Sequence, residues 1–298
     1  IPIWPGDRVE VRYGGQSAAQ SSGSMGGSVI LESQTLRQEA GFLGSAVAAA
    51  GSWGRVENML SSGYAGENVA VEIRASWQRS NNDFLYRNIT QIGKPLVRQA
   101  NNFGEKWDIQ QHSQWVINRK NKLKSAFWSQ RAFREIPPTM TQVPIETWQR
   151  DRATRAVVTW DKQQRANSLW QTRVAWLDEG IYYYLYGKTD SSRARTALLS
   201  SEYSTTLRQQ FFFKTGLNAQ QQWANADGYA DSTRWYGQAR LAAYATGERR
   251  FKSGRLSLML RQEWAQEQGV PFTWSAGGQF RLGSGQLHFH LSRNFNLP

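Results

Sequence analysis

The chain has 298 residues and a formal net charge of +13, with 36 Lys and Arg against 23 Asp and Glu. It contains no cysteine, which excludes disulfides, thiolate metal sites and cysteine nucleophiles. Trp, Tyr and Phe number 14, 11 and 13, yet no apolar run approaches the roughly 18 residues that a spanning helix needs, so a helical membrane protein is excluded.

The chain opens at Ile1 with no Met, basic segment or apolar export signal, which predicts a processed or truncated N-terminus. Asp7-Arg8-Val9-Glu10-Val11 reads as a strand, and Ser28-Val29-Ile30-Leu31 as a second one. Between them lie Gly14, Gly15, Gly23, Gly26 and Gly27, residues able to take positive φ where the backbone reverses tightly. A phosphate-binding loop is disfavoured, because no Gly-Lys-Ser/Thr follows the glycines and no helix opens after them.

From about residue 67, segments of roughly ten residues alternate apolar and polar side chains, the pattern of membrane strands with one face to lipid and one to water. In 68–78, Val69, Val71, Ile73, Ala75 and Trp77 share one face, and Asn68, Glu72, Arg74, Ser76 and Gln78 the other. In 255–264, Leu256, Leu258, Leu260 and Trp264 oppose Arg255, Ser257, Arg261 and Glu263. In 272–282, Phe272, Trp274, Ala276, Phe280 and Leu282 oppose Thr273, Ser275, Gln279 and Arg281. A soluble antiparallel sheet would also alternate. The tryptophans favour a membrane: Trp77, Trp115, Trp160, Trp176, Trp223, Trp235, Trp264 and Trp274 recur near segment ends, where interfacial girdles place them.

Short polar links are predicted at 65–68, 118–121, 161–167, 247–254 and 283–285, and long ones at 79–104, 134–147, 224–233 and 266–271. The two sets interleave, which assigns the short set to the periplasm and the long set to the outside. The stretch 191–210 has some helical propensity but reads as strand from its neighbours. Counting from about residue 39 gives roughly thirteen strands, an odd number that cannot close an antiparallel barrel, so a fragment or one partner of a split barrel is expected.

Lys and Arg are scattered singly along the chain rather than clustered, which argues against a nucleic-acid partner. His288 and His290 flank Phe289 and share a strand face, but with His112 far away they lack a third ligand and read as lumen residues. Asp178 and Glu179 point to opposite faces of a strand, so they form no acid/base couple. Neither an enzyme, a resident metal nor a cofactor is expected. For ligand contact the long links offer Tyr86, Arg87, Asn88, Arg134 and Glu135, because aromatic and Arg side chains suit large polar chelates by stacking and bidentate bonding. Packing of one loop on another is the equal alternative.

The N-terminal stretch resembles the end of the plug domain in TonB-dependent outer-membrane receptors, through Glu10, Val11, Gly14, Ser17, Ala18, Ser22, Gly23, Met25, Gly26, Gly27 and Ile30. Tyr13, Gln20 and Ser21 depart from the family pattern. Tyr13 replaces an Arg that belongs to the family's plug–barrel charge lock. Arg134-Glu135-Ile136-Pro137-Pro138-Thr139 and Leu291-Ser292-Arg293-Asn294-Phe295-Asn296-Leu297-Pro298 are similar to segments of cobalamin- and siderophore-type receptors of the Bacteroidota branch.

The resemblance implies an all-β fold: residues 1–35 as the C-terminal part of a plug, and residues 36–298 as about 13 strands of a 22-stranded transmembrane antiparallel barrel. It further implies an outer-membrane importer of a cobalamin or ferric-siderophore type chelate. Its partners would be outer-membrane lipid, the TonB-ExbB-ExbD complex acting through an upstream segment, the remaining barrel strands, and a possible surface lipoprotein. The rival expectations are a passive porin-like or adhesin-like barrel and a soluble all-β binding module.

Overall fold

Residues that alternate in polarity can hide one face of an extended segment only by lying beside similar segments, whose backbones then satisfy one another. The computed structural model describes residues 8–13, 27–32, 40–208, 210–266, 269–293 and 295, and among them every regular element is a strand. In chain order these are β1 (Arg8–Tyr13), β2 (Gly27–Glu32), β3 (Gly41–Gly51), β4 (Arg55–Ala65), β5 (Val69–Ser80), β6 (Leu85–Arg87), β7 (Leu96–Arg98), β8 (Gly104–Asn118) and β9 (Asn121–Glu135). There follow β10 (Thr147–Arg165), β11 (Ser168–Leu185), β12 (Lys188–Leu207), β13 (Phe211–Ala226), β14 (Tyr236–Phe251), β15 (Gly254–Ala265), β16 (Thr273–Leu282) and β17 (Gly285–Arg293). Among the described residues no helix is long and apolar enough to cross a membrane.

β1 and β2 pair antiparallel by themselves, with Arg8 opposite Glu32 and Tyr13 opposite Gly27. The rest form one 13-stranded sheet, β3 to β17, in which each strand pairs antiparallel with its neighbours in sequence. Its one interruption is the small hairpin β6–β7, carried in the link between the paired strands β5 and β8. The expected strand count is therefore met. The stretch 191–210 is strand through Leu207, and Asp178 and Glu179 point to opposite faces, as alternation requires.

The two faces of this sheet are inverted relative to a soluble protein. One face presents Ile73, Ile109, Val158, Val174, Leu199, Leu217, Leu241, Leu258 and Leu260, all exposed. The other buries Arg74, Asp108, Gln110, Thr159, Asp161, Arg261, Glu263 and Thr273. Water on the first face and apolar packing on the second would both be costly, whereas lipid outside and a polar lumen inside satisfy each. The sheet is the wall of a transmembrane β-barrel.

Links at one rim are all short: 66–68, 119–120, 166–167, 208–210, 252–253 and 283–284. The opposite rim carries the long ones at 81–103, 136–146, 227–235 and 266–272. Two links at that rim are also tight. One is Tyr186-Gly187, whose φ values of 51° and 77° are those of a type I′ hairpin that follows the twist of the flanking strands.

Several boundaries differ from expectation because the strands run past the membrane. The short links predicted at 161–167 and 247–254 shrink to 166–167 and 252–253, and Arg134 and Glu135 end β9 instead of lying in a loop. β10, β11 and β12 have 19, 18 and 20 residues, where about 9–11 suffice to span. Trp176 consequently sits inside β11 rather than near its end, and Trp235 lies in a link.

Among the described residues, β3 and β17 have no partner on their outer sides. Every residue of both strands is exposed.

Candidate functional site

Alternation sends the polar residues of successive strands to the lumen face, where cross-strand neighbours lie within reach of one another. Lys124 of β9 pairs with Asp161 of β10 at 2.8 Å, and Gln171 of β11 donates to the same carboxylate at 2.7 Å. Arg155 of β10 pairs with Glu179 of β11, and its guanidinium lies 4.6 Å from the ring centroid of Trp128. Trp128 in turn donates to Asp108 of β8, which also accepts from Gln110 at 3.1 Å. Further along, Glu202 of β12 takes Lys214 of β13 at 2.8 Å and the Tyr244 hydroxyl of β14 at 2.5 Å, while Arg261 and Glu263 pair at 3.0 Å along β15. The lumen wall is thus lined with both charge signs, largely paired. Gln130 Oε1 and Arg261 Nη1 are buried without a hydrogen-bond partner among the described residues, so polar capacity remains for an occupant of the lumen.

Gly216 lies within this network for a steric reason. A Cβ there would stand 2.7 Å from the Tyr244 hydroxyl and 2.9 Å from the Ser201 carbonyl oxygen, so only glycine lets Tyr244 lie across β13 to reach Glu202.

The long-link rim carries the candidate ligand residues. The chain from 81 to 103 folds back as β6–β7, tied at its base by reciprocal bonds between Asn82 and Asn102 at 3.0 and 2.9 Å. Asn88 is only 3% exposed: its amide donates to the Met140 carbonyl at 3.0 Å, and its side-chain oxygen accepts from the Thr90 amide and hydroxyl. Loops 81–103 and 136–146 are thereby fastened into one body.

Arg87 is exposed and donates to the Lys94 carbonyl at 3.2 Å, and Tyr86 lies edge-on to Phe84. Arg134 faces the lumen side with 58% of its side chain exposed and lies 3.5 Å from Asp151. Glu135 accepts from the Phe103 amide at 2.9 Å. The five residues are therefore gathered at one rim. Asn88 and Glu135 hold loops together there, while the Arg87 and Arg134 side chains are exposed.

In the glycine-rich stretch, Gly14, Ser17, Gly23 and Gly26 lie outside the described residues. Glu10 and Gly27 are strand residues of β1 and β2, opposite Ile30 and Tyr13. Among the described residues no three His, Cys, Asp or Glu side chains gather as a metal site, and His288 contacts Gln286 at 3.2 Å. The lumen network escapes a linear reading because its members come from strands up to 42 residues apart. The short-range pairs Glu72–Arg74 and Arg261–Glu263 announce themselves, each as two charges on one strand face.

Geometry of this kind, an inverted sheet with one elaborated rim and a charged lumen, defines the chain as a portion of a large transmembrane β-barrel. Its fold is that of outer-membrane uptake receptors, as solved structures attest. The siderophore receptor PirA from Pseudomonas aeruginosa matches with a TM-score of 0.76 at 14% identity, over 97% of this chain and 49% of that one. The ferric-catecholate import receptor Fiu from E. coli K12 matches with a TM-score of 0.74 at 10% identity, over 97% of this chain and 60% of that one. The FrpB iron transporter from Neisseria meningitidis matches with a TM-score of 0.72 at 12% identity, over 97% of this chain and 51% of that one. The chain thus spans about half the length of the receptors whose fold it shares, and those proteins are named for transport, not for catalysis. No protein-family model and no curated protein matches the sequence.

Proposed function

We propose that this chain is part of a TonB-dependent outer-membrane importer, with the long links outside the cell and the short links in the periplasm. Residues 1–35 belong to a plug and residues 36–298 to the barrel around it. The cargo is a metal chelate of the ferric-siderophore or cobalamin class, caught at the rim by Tyr86, Arg87 and Arg134. Asn88 and Glu135 position the loops that present them. Energy comes from TonB-ExbB-ExbD through a segment upstream of the plug, and the barrel is completed by further strands from the same polypeptide or a second chain. A surface lipoprotein over the rim is compatible with this arrangement.

The observation that carries the reading is the polar, partly unsatisfied lumen wall inside an apolar outer face. In a barrel of the 22-stranded class the lumen is plugged. Glu10, Gly14, Ser17, Gly23, Gly26 and Gly27 are the residues assigned to it.

The test is uptake of labelled ferric chelate and labelled cobalamin by cells that produce the protein together with its remaining strands. Accumulation of one ligand that is abolished when TonB is deleted is the expected result. Passive ion conductance in planar bilayers, with no energy-dependent accumulation of either ligand, would establish a porin instead.

A further inference from the structure

Packing on the outer face sets the direction of β17. Phe289 lies opposite Gly278, where a Cβ would collide with its ring, so only glycine lets Phe289 lie over β16. There it stacks on Phe280, with ring centroids 6.5 Å apart and an interplanar angle of 10°. Side chains alternate along a strand, so with Phe289 held outward its two neighbours, His288 and His290, both project to the lumen side. Their Cα atoms stand roughly 7 Å apart, a spacing at which two imidazole rings on one sheet face can converge on a single ion.

Hydrogen bonding prepares the first ring. The side-chain oxygen of Gln286 accepts from the Gln279 amide at 3.4 Å and lies 3.2 Å from His288 Nε2. An amide oxygen only accepts, so Nε2 carries the proton and Nδ1 keeps its lone pair for a metal. A partner of this kind fixes both the tautomer and the orientation of a ligating imidazole. The second ring lies opposite Gly277, where a Cβ would stand 3.5 Å from His290 Cδ2 and 3.3 Å from the Ser257 hydroxyl oxygen. The missing side chain leaves His290 beside bare backbone, and both histidines are exposed.

The surrounding charge selects the kind of ion. β16 and β17 carry no carboxylate, and Arg255 and Arg281 face the same side, opposite Gln279 and Gln286. Hard cations such as Ca(II) and Mg(II), which need oxygen ligands and negative charge, are therefore disfavoured. A borderline ion that bonds strongly to neutral imidazole nitrogen is not.

We propose that His288 and His290 chelate a divalent transition-metal ion, Cu(II) foremost, on the lumen wall close to the short-link rim. Affinity at nitrogen sites rises through the first-row ions to Cu(II) and falls again at Zn(II). Two protein ligands leave coordination positions to water, which suits an ion that exchanges and not one locked in a closed structural site. The site requires only the fold; its place on the periplasmic side rests on the orientation proposed above.

The test is Cu(II) titration of the full protein, purified in nonionic detergent and stripped of metal with a chelator, read by pulsed electron paramagnetic resonance, which counts coordinated imidazoles. The chain has only three histidines and no cysteine, so few other nitrogen or sulfur ligands compete. Wild type is expected to bind Cu(II) with a two-imidazole signature, and Ni(II) and Zn(II) more weakly. H288Q and H290Q are each expected to show one imidazole and at least about tenfold weaker binding, and H288Q/H290Q to lose the signature. H112Q is expected to match wild type, and circular dichroism confirms that each variant keeps its strand content. A wild-type spectrum with fewer than two imidazoles, or a two-imidazole signature that survives in H288Q/H290Q, overturns the proposal. Failure of TonB-dependent uptake would leave this result standing, so the two readings fail separately.

Discussion

Single residues decide how the rim and the lumen are held. Asn88 closes the distance between two loops with one amide, and its near-complete burial means that removing it leaves the Met140 carbonyl and the Thr90 hydroxyl with only their own 3.2 Å contact. Asn88→Ala is expected to cost about 1–3 kcal/mol locally, read as faster proteolysis at 81–103 and 136–146 with the strand content unchanged. In the lumen, Gly216→Val is expected to push Tyr244 off Glu202, and a fall in thermal stability that Tyr244→Phe does not reproduce would assign the cost to the clash, not to the lost hydroxyl. In loop 227–235, the bonds Asp231 accepts from the Thr233 hydroxyl and amide hold its carboxyl below the usual carboxylate range. Its folded-state pKa is lowered, so the contribution to loop order is present above the ordinary carboxylate value and is lost as pH falls through the depressed one. The protection of the Thr233 amide against exchange, relative to its intrinsic rate, is therefore expected to fall only below about pH 4.

At the scale of the strand, the alternation that was legible in the sequence is also what can be broken. Val69, Val71, Ile73, Ala75 and Trp77 do face outward together, as do Leu256, Leu258 and Leu260, because a period of two is a local property that pairing with either neighbour preserves. An Arg at Ile109 or Val174, both exposed on the apolar band, is expected to cost about 2–4 kcal/mol of folding in bilayers. The same change at lumen-facing Gln110 is expected to cost less, and refolding yield into vesicles compares the two. Strand ends were less legible. Residues 161–165 and 247–251 are polar enough to read as links, yet they continue β10 and β14, because a sheet that projects beyond the membrane accepts polar residues on both faces. Arg134 and Glu135 are strand residues for the same reason.

At the scale of the whole molecule, the open edges of the described sheet are the decisive feature. In an antiparallel sheet of 13 strands the first and last run the same way, so β3 and β17 cannot pair with each other in the pattern of the rest. Joining β17 to the β3 of a second copy in the same orientation meets the same obstacle. Antiparallel closure requires an odd number of further strands between them. The natural absence of cysteine permits a clean check: with Ala48→Cys and Phe289→Cys in one chain, no internal disulfide is expected under mild oxidation. A disulfide formed in the monomer would mean that the 13 strands close on themselves.

The sequence by itself determined the number of strands in the main sheet, the faces of the alternating segments and the positions of the long links, because each follows from neighbours a few positions apart. What only the tertiary structure decided are the contacts that cross strands. The amide of Asn88 reaches a carbonyl 52 residues away, Trp128 meets Asp108, and Glu202 gathers Lys214 and Tyr244. The pairing that places Arg131 opposite Arg152 belongs with them, since the register between strands is fixed by long-range pairing that no local pattern encodes.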